Sequence, residues 1–167
     1  MSISEKIITN FENKNTNLNK SLIVKNNETL NYFIYIVAKK TNKKINFVFK
    51  QQEKSIVNVY VNCIALNGGN IEINISNEIN NKSNSCIVNQ EINGLVLDDK
   101  SSIKALPIMK ISNNKIKASH SVNIGSINKE QLFYLTSRGI KTSEAIKLII
   151  NNMFAKVDQK LYNSIIL

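Results

Sequence analysis

The chain of 167 residues contains few of the side chains from which metal and catalytic sites are commonly built. His120 is its one histidine, and its two cysteines, Cys63 and Cys86, form no C-x-x-C motif. A structural metal site usually needs about four Cys or His ligands. We therefore predict that His120 ligates a metal only if another subunit supplies further ligands. The cysteines lie in apolar runs, which predicts buried core thiols.

Common catalytic motifs are also missing. The sequence has no G-x-S-x-G nucleophile elbow, no P-loop and no G-x-G-x-x-G dinucleotide motif. We therefore expect that the protein is not an enzyme. No spacing marks a glycosidase-like carboxylate pair among the acidic residues Glu72, Glu78, Glu91, Asp98 and Asp99.

Arginine is almost absent. The formal net charge of +10 by itself suggests an acidic partner such as nucleic acid. However, Arg138 is the single arginine among 22 basic residues, and arginine is the side chain that best makes bidentate contacts to phosphates and bases. The lysines are spread through a chain rich in Asn and Ile, which is typical of an AT-rich coding sequence. We therefore expect no nucleic-acid partner.

Long apolar runs are absent as well. No stretch approaches the roughly 18 apolar residues of a membrane-spanning helix. The first six residues contain no basic segment followed by an apolar one. The sequence therefore predicts neither a membrane span nor a secretory signal, and we expect a cytoplasmic protein.

The middle of the chain, residues 21–125, is dominated by alternation of apolar and polar residues with a period near two, which predicts β-strands. The run Leu30–Ala38 fits a strand or a helix. The strand candidates are Ile45–Phe49, Ser55–Val61, Ile71–Ile75, Cys86–Val88, Gly94–Leu97, Ile108–Ile111 and Lys115–Ala118.

The first 20 residues are more weakly patterned. Ser2 and Glu5 can form a capping box, which predicts one short helix from Ile3 to Phe11. The stretch Glu12–Lys20 is polar and rich in Asn, so we expect a loop or linker there.

Short strands separated by Asn-rich and Gly-rich turns fit a sandwich, a barrel or a β-helix, and periodicity does not choose among them. The pair Gly68–Gly69 is isolated and predicts one of these turns. A β-helix accommodates many asparagines because its corners accept left-handed backbone and its side chains can stack in polar ladders. The composition therefore favours a β-helix mildly.

Helical patterning begins in the last part of the chain, residues 126–167. Asn128 can cap a first helix, which should end at Gly139, with Ile140 completing a Schellman turn. We expect Thr142 to cap a second helix that runs to about Tyr162. Its apolar stripe is formed by Ile146, Ile149, Ile150, Met153, Val157 and Leu161.

The segment Lys115–Ile140 resembles the C-terminal signature of the SufB/SufD family of iron–sulfur cluster assembly scaffold proteins. In SufD that signature reads roughly V-K-C-S-H-G-A-T-V-G, followed by I-D-x-E-Q-L-F-Y-L-R-S-R-G-I. Glu130–Tyr134 and Ser137–Ile140 match the second half in register. Weaker similarities lie at Asn93–Gly94, Ala105–Ile111, Glu144–Ala145 and Phe154–Ala155.

The resemblance implies a mainly β fold, namely a right-handed parallel β-helix followed by a small helical region. SufB and SufD pair through their β-helices, each helical region binds the ATPase SufC, and iron–sulfur clusters are built on the complex. The resemblance thus implies a strongly shortened member that is closer to SufD. Such a subunit would pair with a SufB-type subunit or with itself, bind no stable cofactor, and share a transient iron–sulfur cluster with its partner.

The resemblance also assigns site residues. His120 falls on the SufD histidine that lies at the subunit interface and is implicated in cluster assembly. The family's cysteine two residues earlier is Ala118 here, so one thiol is missing. SufC docking falls on the helix pair. The residues expected there are Phe133, Tyr134, Arg138, Gly139 and Ile140.

Two alternatives stay open at this point. Phe133 and Tyr134 could instead pack the helices onto the body. The whole protein could be a self-associating structural β-helix without cluster chemistry. Because the open end of a β-helix must be covered, oligomerisation is expected under both interpretations of the whole protein.

Overall fold

Nine parallel strands wind alternately between two sheets in residues 2–156, the part of the chain that the computed structural model describes. Sheet A has the order β1-β3-β5-β7-β9, and sheet B has the order β2-β4-β6-β8. Successive strands of a sheet lie about 30 residues apart in sequence, which gives about four coils. The predicted parallel β-helix followed by helices is confirmed. The strands are β1 (Ser2–Asn10), β2 (Thr16–Val24), β3 (Glu28–Lys39), β4 (Asn42–Gln51), β5 (Ile56–Leu66), β6 (Asn70–Ile79), β7 (Ile87–Val96), β8 (Ser102–Ile111) and β9 (Lys117–Gly125).

The core lies between the two sheets and is filled by alternate residues of each strand. In β4, Ile45, Phe47 and Phe49 are buried, and the residues between them point outward. Tyr32 of β3 meets these aromatic rings from the opposite sheet, with ring centroids 5.3 Å from Phe47 and 5.2 Å from Phe49. Apolar side chains at every second position therefore explain both the strands and the way the sheets face each other.

The asparagines fulfil both roles that a β-helix offers them. On the outer face of sheet A, the side-chain amides of Asn89, Asn58 and Asn31 form a ladder with N···O distances of 2.8 Å, and Ser119 donates to Asn89 at 2.7 Å. This ladder ties β9 to the coils below it. Left-handed backbone is found between the strands, at the non-glycine residues Asn27, Lys40, Lys54, Asn67 and Ser85.

The short helix predicted from Ile3 to Phe11 is wrong, because strand β1 occupies Ser2–Asn10. Every residue of β1 has a partner in β3, from Ser2 opposite Glu28 to Asn10 opposite Ile36. A capping box contributes only about 1 kcal/mol, which is small beside the pairing of a full strand with β3 and the packing of Ile8 against the core. The predicted loop over 12–20 is also shorter than expected, because β2 begins at Thr16.

Three further strand boundaries differ from the sequence prediction. The two candidates Cys86–Val88 and Gly94–Leu97 overlap the two ends of the single strand β7. The ambiguous run Leu30–Ala38 is strand, within β3. The candidate Lys115–Ala118 lies at the start of β9, which continues to Gly125 and so contains His120.

The helical caps follow the sequence signals closely in the first helix, α1 (Lys129–Ser137). The Asn128 side chain accepts a hydrogen bond from the Gln131 backbone N–H at 3.0 Å. At the other end, Gly139 has a φ of 86°, and the Ile140 N–H donates to the Leu135 carbonyl at 3.3 Å, as a Schellman turn requires. Both predicted ends of α1 are confirmed.

The second helix, α2 (Thr142–Met153), has a different start from the one predicted. Thr142 is its first residue, and the cap position is Lys141, which makes no side-chain capping bond. The predicted extension of this helix through Val157 and Leu161 to Tyr162 lies outside the described residues.

Helix α2 anchors the helix pair on the outer face of sheet A. Ile150 and Phe154 are buried in an apolar cluster with the outward residues of β3 and β5. The Phe154 ring lies 5.8 Å from that of Phe11 and 5.4 Å from that of Tyr35, between centroids. Helix α1 contributes no buried residue. Neither helix within residues 2–156 is long and apolar enough to cross a membrane.

Candidate functional site

The last coil finishes in what we call the open end, meaning the inward rows and outer edges of β8 and β9. These strands end their sheets, so neither has a further strand beside it in the described part of the chain. The inward row of β9 is Ala118, His120, Val122 and Ile124, because these residues pair in register with the inward residues of β7. An unpaired strand edge is a template for another chain. The open end is therefore well suited to form a subunit interface.

His120 lies in the middle of this inward row and is exposed. Its Cα partner on β7 is Gln90, which is buried beneath it. The neighbouring Ser119 is fixed on the opposite face by its bond to Asn89. The strand around His120 is thus held in register, while the imidazole is free to meet an incoming group. A neutral imidazole nitrogen is a common ligand for iron and zinc.

The surface around the imidazole is largely apolar. Val122, in the same inward row as His120, is 42% exposed. The inward residues of β8, which pair with the inward residues of β6, are Ile103, Ala105, Pro107, Met109 and Ile111. Gly94 lies below this surface, where an added Cβ would stand 3.0 Å from Ile124 and 3.1 Å from Ile103. Because Gly94 has no side chain, Ile124 of sheet A and Ile103 of sheet B can both pack against it. The site therefore offers one imidazole within a mostly apolar rim.

Neither cysteine can serve this site directly. Cys63 and Cys86 are both free and buried, as the sequence predicted. Burial raises the pKa of the Cys63 thiol to about 12, so it stays protonated at neutral pH. Ala118, two residues before His120 on the same face, presents a methyl group. Residues 2–156 contain no cluster of three or more His, Cys, Asp or Glu side chains, and shared ligation by His120 stays a prediction.

The residues predicted to dock an ATPase lie on the helix pair, apart from the open end. Phe133 is 73% exposed and Tyr134 is 54% exposed, so they do not pack the helices onto the body. The Arg138 guanidinium lies 4.5 Å from the centroid of the Tyr134 ring, a cation–π contact that holds both side chains at the surface. Gly139 forms the helix cap, and Ile140 is half-buried behind it. These residues therefore form an exposed aromatic and cationic surface.

A short link joins the two predicted regions. Only residues 126–128 separate the strand that contains His120 from helix α1. Beside this link, a cleft of about 920 Å³ opens between the outer face of sheet A and the helix pair, and its walls include Glu91, Asn93, Lys129 and Glu130. The predicted site residues thus form two separate surfaces, connected through the end of β9.

Sequence reasoning missed a buried polar group below His120. Gln51, Asn77 and Gln90 are each at most 3% exposed and are linked by side-chain hydrogen bonds. Each lies at an inward position next to an apolar one, for example Gln90 between Val88 and Ile92. A polar residue in the apolar phase of a strand is the signal that could have found them.

Comparison with known proteins supports the same family. A model described as SUF system FeS cluster assembly, SufBD core domain, matches residues 4–153. An iron–sulfur cluster assembly SufBD family protein of Staphylococcus aureus strain USA300 is 32% identical over 87 residues. A protein of the same description from Staphylococcus haemolyticus strain JCSC1435 matches with the same identity and length.

The matched stretch covers 52% of this chain and 19% of each relative, so the chain spans about a fifth of the length of the relatives it matches. The family model, in contrast, covers the β-helix and both described helices together. Its span includes the open end, the link and the exposed helix surface. The chain belongs to the SufBD family of iron–sulfur cluster assembly proteins.

Proposed function

We propose that this chain is a SufD-like scaffold subunit, which pairs with a SufB-type subunit and binds a SufC-type ATPase in the cytoplasm. It would catalyse no reaction of its own, and the iron–sulfur cluster would be its cargo rather than a resident cofactor. The SufD-like assignment rests on the helix motif and on His120 at the open end. The single observation that carries the proposal is the exposed aromatic surface on α1.

That surface is difficult to explain without a partner. Helix α1 has no buried residue, yet it presents Phe133 and Tyr134 to solvent with Arg138 stacked beside them. Aromatic residues and arginine are the types that contribute most to protein–protein binding. Because α1 follows β9 after three residues, force applied to this helix by an ATPase would reach the strand of His120 directly.

A pull-down with the cognate SufC-type ATPase tests the docking. The wild-type chain should retain the ATPase at micromolar concentrations, and Phe133→Ala should weaken binding at least tenfold, since buried aromatic anchors are worth about 2 kcal/mol or more. Ile3→Ala is the matched control, because Ile3 is also 73% exposed but lies on β1 at the opposite end of the β-helix. Failure of the wild type to retain the ATPase, or equal losses in both variants, would contradict the proposal.

Pairing through the open end has its own test. A carboxylate at Val122 would be buried in the interface, so Val122→Asp should abolish association with the SufB-type subunit in size-exclusion chromatography. Ile23→Asp is the control, because Ile23 is 65% exposed on β2, in the first coil. If Ile23→Asp disrupts the complex and Val122→Asp does not, then pairing uses the other end of the β-helix.

The alternative is a self-associating structural β-helix without cluster chemistry. Membership of an iron–sulfur cluster assembly family does not favour it. A homodimer that is indifferent to both the SufB-type subunit and the ATPase would support this alternative.

A further inference from the structure

Three buried amide side chains form a chain of hydrogen bonds that crosses the core from sheet B to a point below His120. The Asn77 amide nitrogen donates to Gln51 Oε1 at 3.0 Å, and Gln90 Nε2 donates to Asn77 Oδ1 at 2.5 Å. Buried amides destabilise a core unless they are hydrogen-bonded, so such a chain is costly unless each group has a partner.

Backbone carbonyls fix the direction of this chain. Gln51 Nε2 donates to the carbonyl oxygens of Ile87 at 3.3 Å and Ser55 at 3.4 Å. At the other end, Gln90 Nε2 also donates to the Ile75 carbonyl at 3.4 Å. Carbonyl oxygens only accept hydrogen bonds, so both glutamine nitrogens must face them. The amide oxygen of Gln90 is therefore the group that is left over at the end of the chain.

That oxygen is a buried acceptor without a partner. Gln90 Oε1 is screened from solvent and accepts no hydrogen bond, although the residue is only 2% exposed. Gln90 belongs to a column of inward residues that pair across neighbouring strands of sheet A. From β3 to β9 this column is Tyr32, Val59, Gln90 and His120. Adjacent strands lie about 4.8 Å apart, and the Val59 side chain below cannot donate. The donor that the column supplies next to Gln90 is the imidazole above it.

We propose that Gln90 is a positioning residue for His120, whose imidazole N–H is accepted by Gln90 Oε1. His120 is exposed and is the Cα partner of Gln90, so the proposed bond needs only rotation about the side-chain bonds of His120. A neutral imidazole has one N–H and one lone pair, so this bond selects a tautomer and leaves the lone pair on the other nitrogen. A ligand histidine is commonly oriented in this way by its second nitrogen. The value of this bond for cluster assembly rests on the proposed function, whereas the bond itself does not.

Nitrogen-15 NMR of the full chain tests the proposal, and the single histidine makes the imidazole signals unambiguous. At about pH 8.5, where an ordinary imidazole is neutral, the tautomer ratio of the wild type should differ at least about fivefold from that of a peptide with the sequence 117–123. A fivefold ratio corresponds to a net hydrogen bond of about 1 kcal/mol. A wild-type ratio equal to that of the peptide would overturn the proposal, whatever the variants do.

The variants separate positioning from packing. Gln90→Met keeps the length of the side chain and removes the acceptor, so its ratio should return to within about twofold of the peptide. Gln51→Met breaks the same amide chain at its far end and should keep the wild-type ratio. Equal changes in Gln90→Met and Gln51→Met would mean that Gln90 only fills space.

The outcome is distinguishable from that of the proposed function. If Gln90 controls the tautomer but His120→Ala supports normal cluster assembly, the inference stands and the proposed role of His120 fails. If His120→Ala abolishes assembly while Gln90→Met leaves the tautomer ratio unchanged, the function stands and the inference fails.

Discussion

The attachment of the helix pair can be tested at one buried side chain, Ile150. Replacing Ile150 with alanine removes three carbon atoms from a side chain that is 1% exposed, in the cluster between α2 and sheet A. At about 0.8 kcal/mol per buried carbon, the transfer loss is about 2.4 kcal/mol. The cavity left behind adds to this, so we expect a loss of about 3 kcal/mol. Alanine is the best helix former, so helix propensity cannot cause the loss.

Leu148→Ala is the matched control, two residues away on the same helix. Leu148 is 48% exposed, and water fills the space that its side chain leaves, so we expect a loss below about 1 kcal/mol. Urea unfolding measures the global free energy, and hydrogen exchange of the α2 amides detects a local release of the helix pair. If Ile150→Ala and Leu148→Ala weaken both readouts equally, α2 is not anchored through its Ile150 face.

The remaining predictions concern the ladder, the core thiol and the helix cap. Asn58→Ala removes both ladder bonds of Asn58 and should lower the free energy of unfolding in urea by about 1–2 kcal/mol, whereas exposed Asn114→Ala should change it by less than about 0.5 kcal/mol. In a Cys86→Ser background, Cys63 should react with a thiol reagent at pH 8 only after unfolding, because burial raises its pKa to about 12; fast labelling of the native chain would contradict this. Gly139→Ala should cost about 1 kcal/mol in thermal unfolding, because Gly139 has a φ of 86°; an unchanged midpoint would show that the Schellman turn is dispensable.

Local signals were enough to predict helix α1. Its cap at Asn128 and its end at Gly139 depend on side chains within a few residues, and both are found where expected. The buried strands β4 and β6 were also predictable, because Ile45–Phe49 and Ile71–Ile75 each place three apolar residues inward in succession. Where one short stretch of sequence contains the whole physical cause, the prediction is confirmed.

Long-range pairing explains what the sequence prediction missed. Strand β1 is defined by its partner β3, about one coil away, and its own residues favour a capping box just as well. Strand β7 was divided in two because Gln90 occupies an inward position, which breaks the apolar alternation. In strand β9, the polar residue His120 occupies an inward position and interrupts the apolar alternation in the same way.

In the candidate site, too, residues in local motifs were predictable and residues placed by long-range pairing were not. The resemblance identified His120 and the exposed residues of α1 from their local motif. The resemblance did not identify Gln90, because Gln90 is placed next to His120 only by the register between β7 and β9. Residues that are neighbours across coils of a β-helix are about 30 positions apart in sequence, and no short motif reports them.

The claim that His120 contributes to a cluster site at the open end is tested most directly by anaerobic reconstitution. The chain is mixed with its SufB-type subunit and SufC-type ATPase, and iron and acid-labile sulfide per complex are measured for the wild type and His120→Ala. Ser121→Ala is the control, because Ser121 is the next residue of β9 on the opposite face. We predict that His120→Ala loses most of the cluster while the complex stays assembled, and that Ser121→Ala retains it. Equal cluster content in all three complexes would contradict the account and confine His120 to a structural role.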